Sequence, residues 1–253
     1  MRFVKSLARK VLPTSAVAAY RDHKLRILNE RNQRKKTCEA IFTDIYARNL
    51  WGGQHGTFWS GSGSHNERVT KPYVQRIVSE LERLGAQSMT AIDLGCGDYS
   101  IGQQLAPSCG QYIGVDIVQS LIAHNQATFG SPRVHFLHAN IVEDPLPVGD
   151  ICFLRQVLQH LSNEQIAAVL PKLEKFRVCF ITEHHPSPSK LQVPNKDKPH
   201  GSDVRVYRGS GVFLDKPPFN VDSSRVTLLL EVAGTEPMNG DPGVIRTYLL
   251  AND

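Results

Sequence analysis

The sequence predicts an α/β fold in which a doubly wound, mostly parallel sheet carries helices on both faces. The chain has 253 residues, 41% of them hydrophobic, which is enough to bury the core of one large domain. After residue 90, short apolar runs of strand length alternate with longer segments of helical pattern. The five runs are residues 90–94, 112–116, 134–139, 151–154 and 178–182. This alternation is typical of parallel strands that are buried on both sides.

The segment before the first predicted strand divides into three parts. Residues 4–46 have a helical pattern, residues 51–67 form a loop rich in glycine and serine, and a helix follows. Thr70 is the predicted N-cap of that helix, and Gly85 is predicted to end it. The resulting domain division is a basic helical N-terminal extension, residues 1–50, and a main domain, residues 51–253.

The chain after the fifth predicted strand departs from the alternation. Residues 186–222 contain several prolines and glycines, which prevent long regular elements there. Two further apolar runs, residues 225–232 and 243–250, complete a sheet of seven strands. A long loop at this place is expected to supply substrate contacts.

Positive charge is concentrated at the start of the chain. The formal net charge is +5, and the excess lies before residue 37. Such a leader suits an anionic membrane surface or a nucleic acid, and it equally suits a solvated helix face. No apolar run approaches the roughly 18 residues of a spanning helix, so we expect a cytoplasmic protein whose membrane contact is peripheral, at the inner membrane, through residues 1–36. Five cysteines without C-x-x-C spacing predict neither a disulfide framework nor a zinc site.

The turn after the first predicted strand carries the strongest motif. The sequence D-L-G-C-G-D-Y-S places Asp93 two residues before Gly95, and Gly97 two residues after Gly95. Glycines at this point let a ligand approach the backbone at the edge of an open α/β sheet. A dinucleotide fingerprint requires a third glycine where Ser100 stands, and Asp98 would repel a pyrophosphate. A cationic ligand therefore suits this turn better.

These residues resemble the first motif of the class I S-adenosylmethionine-dependent methyltransferases, and the resemblance covers roughly residues 70–182. It implies a Rossmann-like fold with a mostly parallel seven-stranded sheet, and S-adenosylmethionine as the cofactor. Asp116 ends the second strand, where the family's acidic residue accepts both ribose hydroxyls. Asn140 ends the third strand, where the family has a residue that meets the adenine amine. Turn formation is the alternative role for Asn140.

The same resemblance implies further cofactor contacts. The residues concerned are Trp59, Ser60, Gly61, Ile117, Ile141, Arg155 and Gln156. The two isoleucines adjoin the ribose and adenine positions, and they equally suit the core. Arg155 and Gln156, at the end of the fourth strand, are expected to lie along the methionine moiety of the cofactor. The loop 51–67 is expected to fold over the cofactor carboxylate as a lid, the alternative being a flexible linker.

Methyl transfer to an alcohol requires a base. His160 is the first candidate because it lies at a loop-to-helix junction near the fourth strand, just before a capping box formed by Ser162 and Gln165. Glu183 and His184, at the end of the fifth strand, are the other candidate catalytic residues. They also raise a metal alternative, but no recognisable ligand spacing supports it, and we predict no metal site.

The acceptor is inferred from a less specific resemblance. The glycine-rich loop, the segment after the fourth strand and the polar segment 194–212 are similar to those of bacterial methyltransferases associated with cell-surface glycan biosynthesis. This resemblance implies O-methylation of a sugar hydroxyl on a glycan or glycolipid. The sequence L-R-Q-V stands where an Asn/Asp-Pro-Pro-aromatic motif would be, so DNA is not an expected partner. An RNA or small-molecule methyltransferase is the alternative, and the missing third glycine disfavours an NAD-dependent oxidoreductase.

Overall fold

The computed structural model describes residues 36–54, 56–235 and 240–252, and its centre is a seven-stranded sheet. In chain order the strands are β1 (Thr90–Leu94), β2 (Gln111–Asp116), β3 (Val134–His138), β4 (Ile151–Arg155), β5 (Val178–His185), β6 (Val226–Ala233) and β7 (Val244–Ala251). Their order across the sheet is β3-β2-β1-β4-β5-β7-β6. The predicted doubly wound, Rossmann-like sheet is confirmed.

Strand β7 runs antiparallel to both of its neighbours, β5 and β6, while the other adjacent strands pair in parallel. The strand order reverses between β1 and β4, because the chain leaves β1 toward β2 on one side and later returns to β4 on the other. Such a reversal opens a crevice at the carboxyl ends of the parallel strands. Residues that follow β1, β2 and β4 therefore meet at one edge of the sheet.

The two faces of the sheet bury separate hydrophobic clusters. Ile92 and Leu94 of β1 pack in one cluster with Leu154 of β4. Ala91 of β1 packs in the other cluster with Phe153 of β4. Because successive strand residues point to opposite faces, each central strand contributes to both clusters. The sheet is thus covered on both sides, as the apolar runs predict.

The described helices are α1 (Cys38–Ala47), α2 (Ser62–His65), α3 (Glu67–Leu84), α4 (Gly102–Leu105), α5 (Gln119–Phe129) and α6 (Asn163–Val169). Helix α3 begins before the predicted N-cap, since the side chain of Asn66 accepts a hydrogen bond from the N–H of Arg68. Thr70 is buried inside the helix, so its prediction as the cap is wrong. The predicted end at Gly85 is confirmed, as is the capping box at the start of α6.

The described part of the predicted extension packs on the main domain. Ile41 and Ile45 of α1 are buried, and Phe42 packs against the larger hydrophobic cluster. Residues 1–35 lie outside the described residues, and most of the basic leader lies there with them. No helix within the described ranges has both the length and the apolarity to cross a membrane. All five cysteines are free.

Residues 186–222 form the predicted long loop, and its interior is polar. Short 3-10 turns at Pro188–Lys190 and Arg205–Arg208 are its regular elements among the described residues. The side chains of Lys198, Asp203 and Arg205 are buried within it. Strand β5 continues to His185, three residues further than predicted, so the loop starts directly at the end of the strand.

Candidate functional site

A pocket of about 850 Å³, including the solvent at its mouth, opens at the carboxyl ends of β1, β2 and β4. Residues of α1 and of the loop 51–67 complete its walls. The predicted site residues that line it are Ser60, Gly95, Gly97, Asp116, Ile117, Asn140, Ile141, Arg155, Gln156 and His160.

The turn after β1 has a shape that glycine adopts without strain. The φ angles of Gly95 and Gly97 are 76° and 55°. The N–H of Gly95 donates to the carbonyl of Val115 at 2.7 Å, which ties the turn to β2. A Cβ at Gly95 would come within 2.5 Å of the Val157 side chain, and one at Gly97 would overlap the Ser60 hydroxyl. The turn therefore brings bare backbone to the wall of the pocket.

Asp116 ends β2 with a buried carboxylate. Its Oδ2 accepts from the N–H of Gly97 at 3.1 Å, and its Oδ1 accepts from the N–H of Val118 at 3.0 Å. Burial raises the pKa of Asp116, and these backbone donors oppose the rise. Each carboxylate oxygen can accept more than one hydrogen bond, so Asp116 is able to accept from two ligand hydroxyls as well.

The loop after β3 is fixed by a lysine from the segment that follows α6. The Lys172 ammonium donates to the carbonyls of Ile141, Val142 and Asp144, at distances from 2.7 to 3.0 Å. The side-chain oxygen of Asn140 accepts from the N–H of Val142 at 3.0 Å. The turn role of Asn140 is thus realised, and the residue lines the pocket beside Ile141 at the same time.

Arg155 ends β4 as a buried cation. Its Nη2 donates to the carbonyl of Gly63 at 2.7 Å, and its guanidinium lies 4.8 Å from the centre of the Tyr73 ring. Burial lowers the pKa of Arg155. In the described part of the chain, the Arg155 Nε, the Gln156 Nε2 and the Tyr73 hydroxyl are buried without a hydrogen-bond partner. Unpaired donors beside a glycine turn fit an anionic group such as a carboxylate.

Ser60 fastens the loop 51–67 to the glycine turn. The N–H of Ser60 donates to the Asp98 carboxylate at 2.8 Å, and the N–H of Asp98 donates to the Ser60 hydroxyl at 2.8 Å. The Tyr46 hydroxyl of α1 lies 3.0 Å from the same Ser60 oxygen. Ser60 and Ser64 both line the pocket. The loop is therefore part of the pocket wall and is held there from two sides.

Trp59 and Gly61, two loop residues predicted to contact the cofactor, do not line the pocket. The Trp59 indole stacks on the His65 ring, with ring centres 3.5 Å apart. Trp51, at the other end of the loop, lines the pocket instead.

Asp93, which the resemblance places at the cofactor, lies behind the glycine turn and does not line the main pocket. Its carboxylate accepts a hydrogen bond from the Tyr112 hydroxyl. Burial raises the pKa of Asp93 to about 6. The residue borders a smaller adjoining cavity, together with Tyr73 and Arg155. Its observed contacts support the end of β1.

His160 lines the pocket from the 3-10 turn Leu158–His160. Its Nδ1 lies 3.1 Å from the carbonyl oxygen of Gly201, which can only accept, so Nδ1 carries the proton and Nε2 keeps a lone pair. Burial, together with the nearby Lys198 ammonium, lowers the pKa of His160 to about 4. At neutral pH the ring is therefore uncharged and able to take up a proton at Nε2.

Glu183 holds the His160 turn and does not line the pocket. Its Oε1 accepts from the N–H of Leu158 at 2.9 Å, and its Oε2 accepts from the N–H of Gln159 at 3.0 Å. Burial raises the pKa of Glu183 to about 8, while the backbone donors and Arg205 oppose the rise. Glu183 was a candidate catalytic residue, and its oxygens face the backbone of the turn.

His184, another candidate catalytic residue, does not line the pocket either. Its Nε2 lies 2.8 Å from the carbonyl oxygen of Pro242, next to β7. The following residue, His185, is fully buried, and neither ring nitrogen has a hydrogen-bond partner among the described residues. Its ring packs against those of Phe213 and Tyr248.

Three aromatic residues of the pocket were not predicted. Phe42 and Tyr46 come from α1, and Trp51 follows it. The Trp51 indole N–H donates to the carbonyl of Ser202 at 3.3 Å, and its ring centre lies 5.2 Å from that of His160. The signal available in the sequence was the helical spacing of aromatic residues in α1.

The structure gives no support to the metal alternative. Within residues 36–54, 56–235 and 240–252, no group of three or more His, Cys, Asp or Glu side chains is arranged to hold a metal ion. Asp197 accepts from the N–H of Asn163, and Asp203 forms ion pairs with Lys198 and Arg208. Asp197 and Asp203, the acidic residues of the long loop that could have joined Glu183 and His184 in a metal site, therefore have other partners.

Comparison with known proteins agrees with the geometry of the pocket. Residues 91–176, which run from β1 to just before β5, match the family model of a methyltransferase domain. No curated protein sequence matches the chain.

Solved structures show the same fold. Magnesium protoporphyrin IX methyltransferase from Synechocystis PCC 6803 with bound SAH has a TM-score of 0.54 at 14% identity, covering 86% of this chain and 100% of that one. Human N-acetylserotonin methyltransferase in complex with SAM has a TM-score of 0.51 at 12% identity, covering 92% and 67%. The methyltransferase domain of bacterial CtHen1 has a TM-score of 0.51 at 13% identity, covering 74% and 98%. The fold is that of the class I methyltransferases.

Proposed function

We propose that this chain, an S-adenosylmethionine-dependent methyltransferase by its matched domain and its fold, methylates a sugar hydroxyl of a glycan or glycolipid with His160 as the general base. The pairing of His160 with Trp51 carries the proposal, since their ring centres lie 5.2 Å apart on one wall of the pocket. The imidazole can take a proton, and the indole can pack against the C–H face of a sugar ring.

The pocket residues fit the parts of the cofactor. Asp116 would accept from the ribose hydroxyls, Asn140 would lie at the adenine, and Arg155 would pair with the methionine carboxylate. The fit rests on the unpaired donors of Arg155 and Gln156 and on the turn at Gly95, where a Cβ would meet Val157. When bound, the cofactor supplies a methyl group on a positively charged sulfur.

The protein's own residues contribute to the reaction by aligning the reactants and by removing a proton. The cofactor would supply the methyl group from its sulfur to the hydroxyl oxygen, and Nε2 of His160 would take up the proton that the hydroxyl loses. The Nδ1–H of the same ring keeps its hydrogen bond to the Gly201 carbonyl, which stabilises the imidazolium. The ring then returns its proton to water.

The surroundings of His160 favour an uncharged acceptor group. Phe42, Trp51 and Leu161 line the pocket together with His160. The nearby cation Lys198 is buried in the long loop, where it pairs with Asp203. The acceptor therefore meets apolar and aromatic surface beside the base, which suits a neutral sugar ring.

A hydroxylated aromatic small molecule is the second candidate acceptor. The ring of Trp51 lies 6.1 Å from that of Phe42 and 5.3 Å from that of Tyr46, so three aromatic side chains stand together at the pocket. A flat aromatic alcohol would pack on the same rings. The human enzyme with the similar fold is named for N-acetylserotonin.

We further propose a cytoplasmic location beside an anionic membrane surface, because the leader is basic and such a location would suit a lipid-linked acceptor. Each basic residue near such a surface contributes about 1 kcal/mol, so several together would hold the protein there. A variant without residues 1–35 should bind S-adenosylhomocysteine normally and lose sedimentation with vesicles that contain anionic lipid. Equal sedimentation of both proteins would reject this location, and salt-sensitive retention on RNA would favour RNA as the partner.

The test of the acceptor class is a transfer assay with methyl-labelled S-adenosylmethionine. Simple glycosides, lipid-linked oligosaccharides, phenols and RNA are offered separately, and the product that gains the label is identified. Label in a sugar hydroxyl, lost in His160→Gln, is the expected result. Label in phenols or RNA alone would contradict the glycan assignment.

A further inference from the structure

The turn that carries His160 is held at both ends by buried ionisable side chains from outside the pocket. At its N-terminal end, the two oxygens of Glu183 accept from the N–H groups of Leu158 and Gln159, at 2.9 and 3.0 Å. At its C-terminal end, the Lys198 ammonium lies 3.4 Å from the carbonyl oxygen of His160, and Arg205 donates to the carbonyl of Leu161 at 2.7 Å.

These side chains match the polarity of the turn. Carboxyl oxygens meet the free N–H groups, and cations meet the free carbonyls, which is the favourable arrangement at the two ends of a helical turn. Glu183, Lys198 and Arg205 are 1%, 2% and 0% exposed. Buried charges are costly unless they are paired or hydrogen-bonded, so this arrangement fixes the turn firmly in one position.

We propose that Glu183 and Lys198 are positioning residues for His160, Glu183 acting from β5 and Lys198 acting from the long loop. The proposal rests on the role of His160 as the base in the proposed function. Neither residue lines the pocket, so each acts on the reaction through the turn and not through contact with substrate.

The long loop makes two further contacts with His160. The N–H of Gly201 donates to the His160 carbonyl at 2.9 Å, and the Gly201 carbonyl accepts from the ring. Asp203 holds the Lys198 ammonium at 3.2 Å. The charged groups near the ring are thus Lys198 and Asp203 from the loop, while Glu183 and Arg205 contact the backbone of the turn. Lys198 is the one among them that opposes protonation of the ring most directly, after burial itself.

The test follows the His160 ring nitrogens by NMR in the full 15N-labelled chain, saturated with S-adenosylhomocysteine. The variant Lys198→Met should raise the His160 pKa by about one unit, because a neighbouring cation is removed. The variant Glu183→Gln should convert the single Nδ1–H tautomer of His160 into a mixture. One amide oxygen cannot accept from the N–H groups of both Leu158 and Gln159, so the turn holds the ring less firmly against the Gly201 carbonyl. Lys190→Met, which changes an exposed lysine of the same loop, should leave pKa and tautomer as in the wild type.

The conservative variant Lys198→Arg should keep the wild-type pKa, since it keeps the charge. If circular dichroism shows that Lys198→Met does not fold, Asp203→Asn takes its place and should lower the His160 pKa, because it removes an anion that favours the protonated ring and leaves the Lys198 ammonium without this partner. An unchanged His160 pKa in the lysine variant together with an unchanged tautomer in Glu183→Gln would overturn the proposal. A shift of equal size in Lys190→Met would overturn it as well.

Transfer of the labelled methyl group separates this inference from the proposed function. Both Glu183→Gln and Lys198→Met should lower kcat and leave the dissociation constant of S-adenosylhomocysteine within about twofold of wild type, since neither residue lines the pocket. Loss of transfer in His160→Gln, with normal transfer in the two positioning variants, would reject positioning and keep the base. Normal transfer in His160→Gln would instead reject the base assignment itself.

Discussion

The Nδ1 atom of His160 lies 3.1 Å from the carbonyl oxygen of Gly201, and the N–H of Gly201 donates back to the carbonyl of His160 at 2.9 Å. This reciprocal pair joins the long loop to the turn after β4. It fixes the tautomer of the ring, so the lone pair is on Nε2 before any ligand binds. Most of the predictions below concern this base or the cofactor pocket beside it.

The acid limb of the pH–rate profile should report the protonation of His160. Burial and Lys198 lower its pKa from the ordinary 6.5 to about 4, so the lone pair persists at lower pH than in an exposed histidine. We expect kcat/KM to fall only as the pH drops through about 4. His160→Gln should lower kcat by roughly two to four orders of magnitude and remove this limb. An acid limb near 6.5 in the wild type would contradict the assignment.

Asp116 should determine cofactor affinity. A ligand at 100 times its dissociation constant stabilises the fold by about 2.7 kcal/mol, a gain that thermal melting detects as a few degrees. Asp116→Ala should lose most of this gain with S-adenosylhomocysteine, because the ribose hydroxyls lose their acceptor. Asp215→Asn changes an exposed carboxylate in the long loop and should retain the full gain. Equal melting shifts in the two variants would reject the role of Asp116.

Gly97 should tolerate alanine less well than Gly85 does. Both residues have positive φ, 55° and 70°, so both alanine variants carry a backbone strain of about 1 kcal/mol or more. A Cβ at Gly85 meets nothing within 4 Å, whereas one at Gly97 overlaps the Ser60 hydroxyl that holds the loop 51–67. Urea unfolding should show the larger loss in Gly97→Ala, and calorimetry should show weaker S-adenosylhomocysteine binding in that variant alone. Identical losses of stability would contradict the steric account.

Trp51 should affect the acceptor, and Trp59 should not. Trp51→Ala removes the indole beside His160 and should raise the KM of the acceptor by at least about tenfold, as expected for the loss of a large aromatic contact. Trp59→Ala removes an indole that stacks on His65 away from the pocket, and it should leave this KM close to the wild-type value. Steady-state kinetics with the identified acceptor measure both, and the reverse ranking would move the acceptor to the other end of the loop.

His185 should make the protein less stable in acid. Burial lowers its pKa to about 3, so below pH 6.5 the unfolded chain binds a proton that the folded chain does not. The contribution of His185 to the free energy of unfolding is therefore fully present above pH 6.5. It is lost as the pH falls toward 3, by about 1.4 kcal/mol per pH unit. His185→Phe should reduce the pH dependence of the unfolding free energy between pH 6 and 4 by about that slope. Urea titrations at several pH values give the answer, and a slope equal to that of the wild type would show that His185 has another partner.

The sequence predicted the strands well where their residues are buried and apolar. The run 90–94 coincides with β1, because each face of this strand packs into a hydrophobic cluster. Strand β5 was predicted too short, since its last residues, Glu183 to His185, are polar yet buried. Their pairing with β7 across a long loop supplies the hydrogen bonds that local pattern cannot anticipate.

The cofactor residues that follow strands were predictable, and those on irregular segments were not. Asp116 and Gly95 stand at strand ends, where topology alone brings them to the crevice. Trp51 and Trp59 belong to one loop that has no regular spacing of hydrophobic residues, so the sequence could not indicate which of them reaches the pocket. Glu183 was predicted as a candidate base because it ends a strand at the same edge of the sheet as the pocket. Its carboxyl group instead faces the backbone of the His160 turn.

Calorimetric titration of the full chain with S-adenosylhomocysteine, and separately with NAD, tests the central claim most directly. We expect one S-adenosylhomocysteine bound per chain and no heat of binding with NAD. In Asp116→Ala the affinity for S-adenosylhomocysteine should be much lower. Binding of NAD in place of S-adenosylhomocysteine, or no binding of S-adenosylhomocysteine by folded protein, would contradict it.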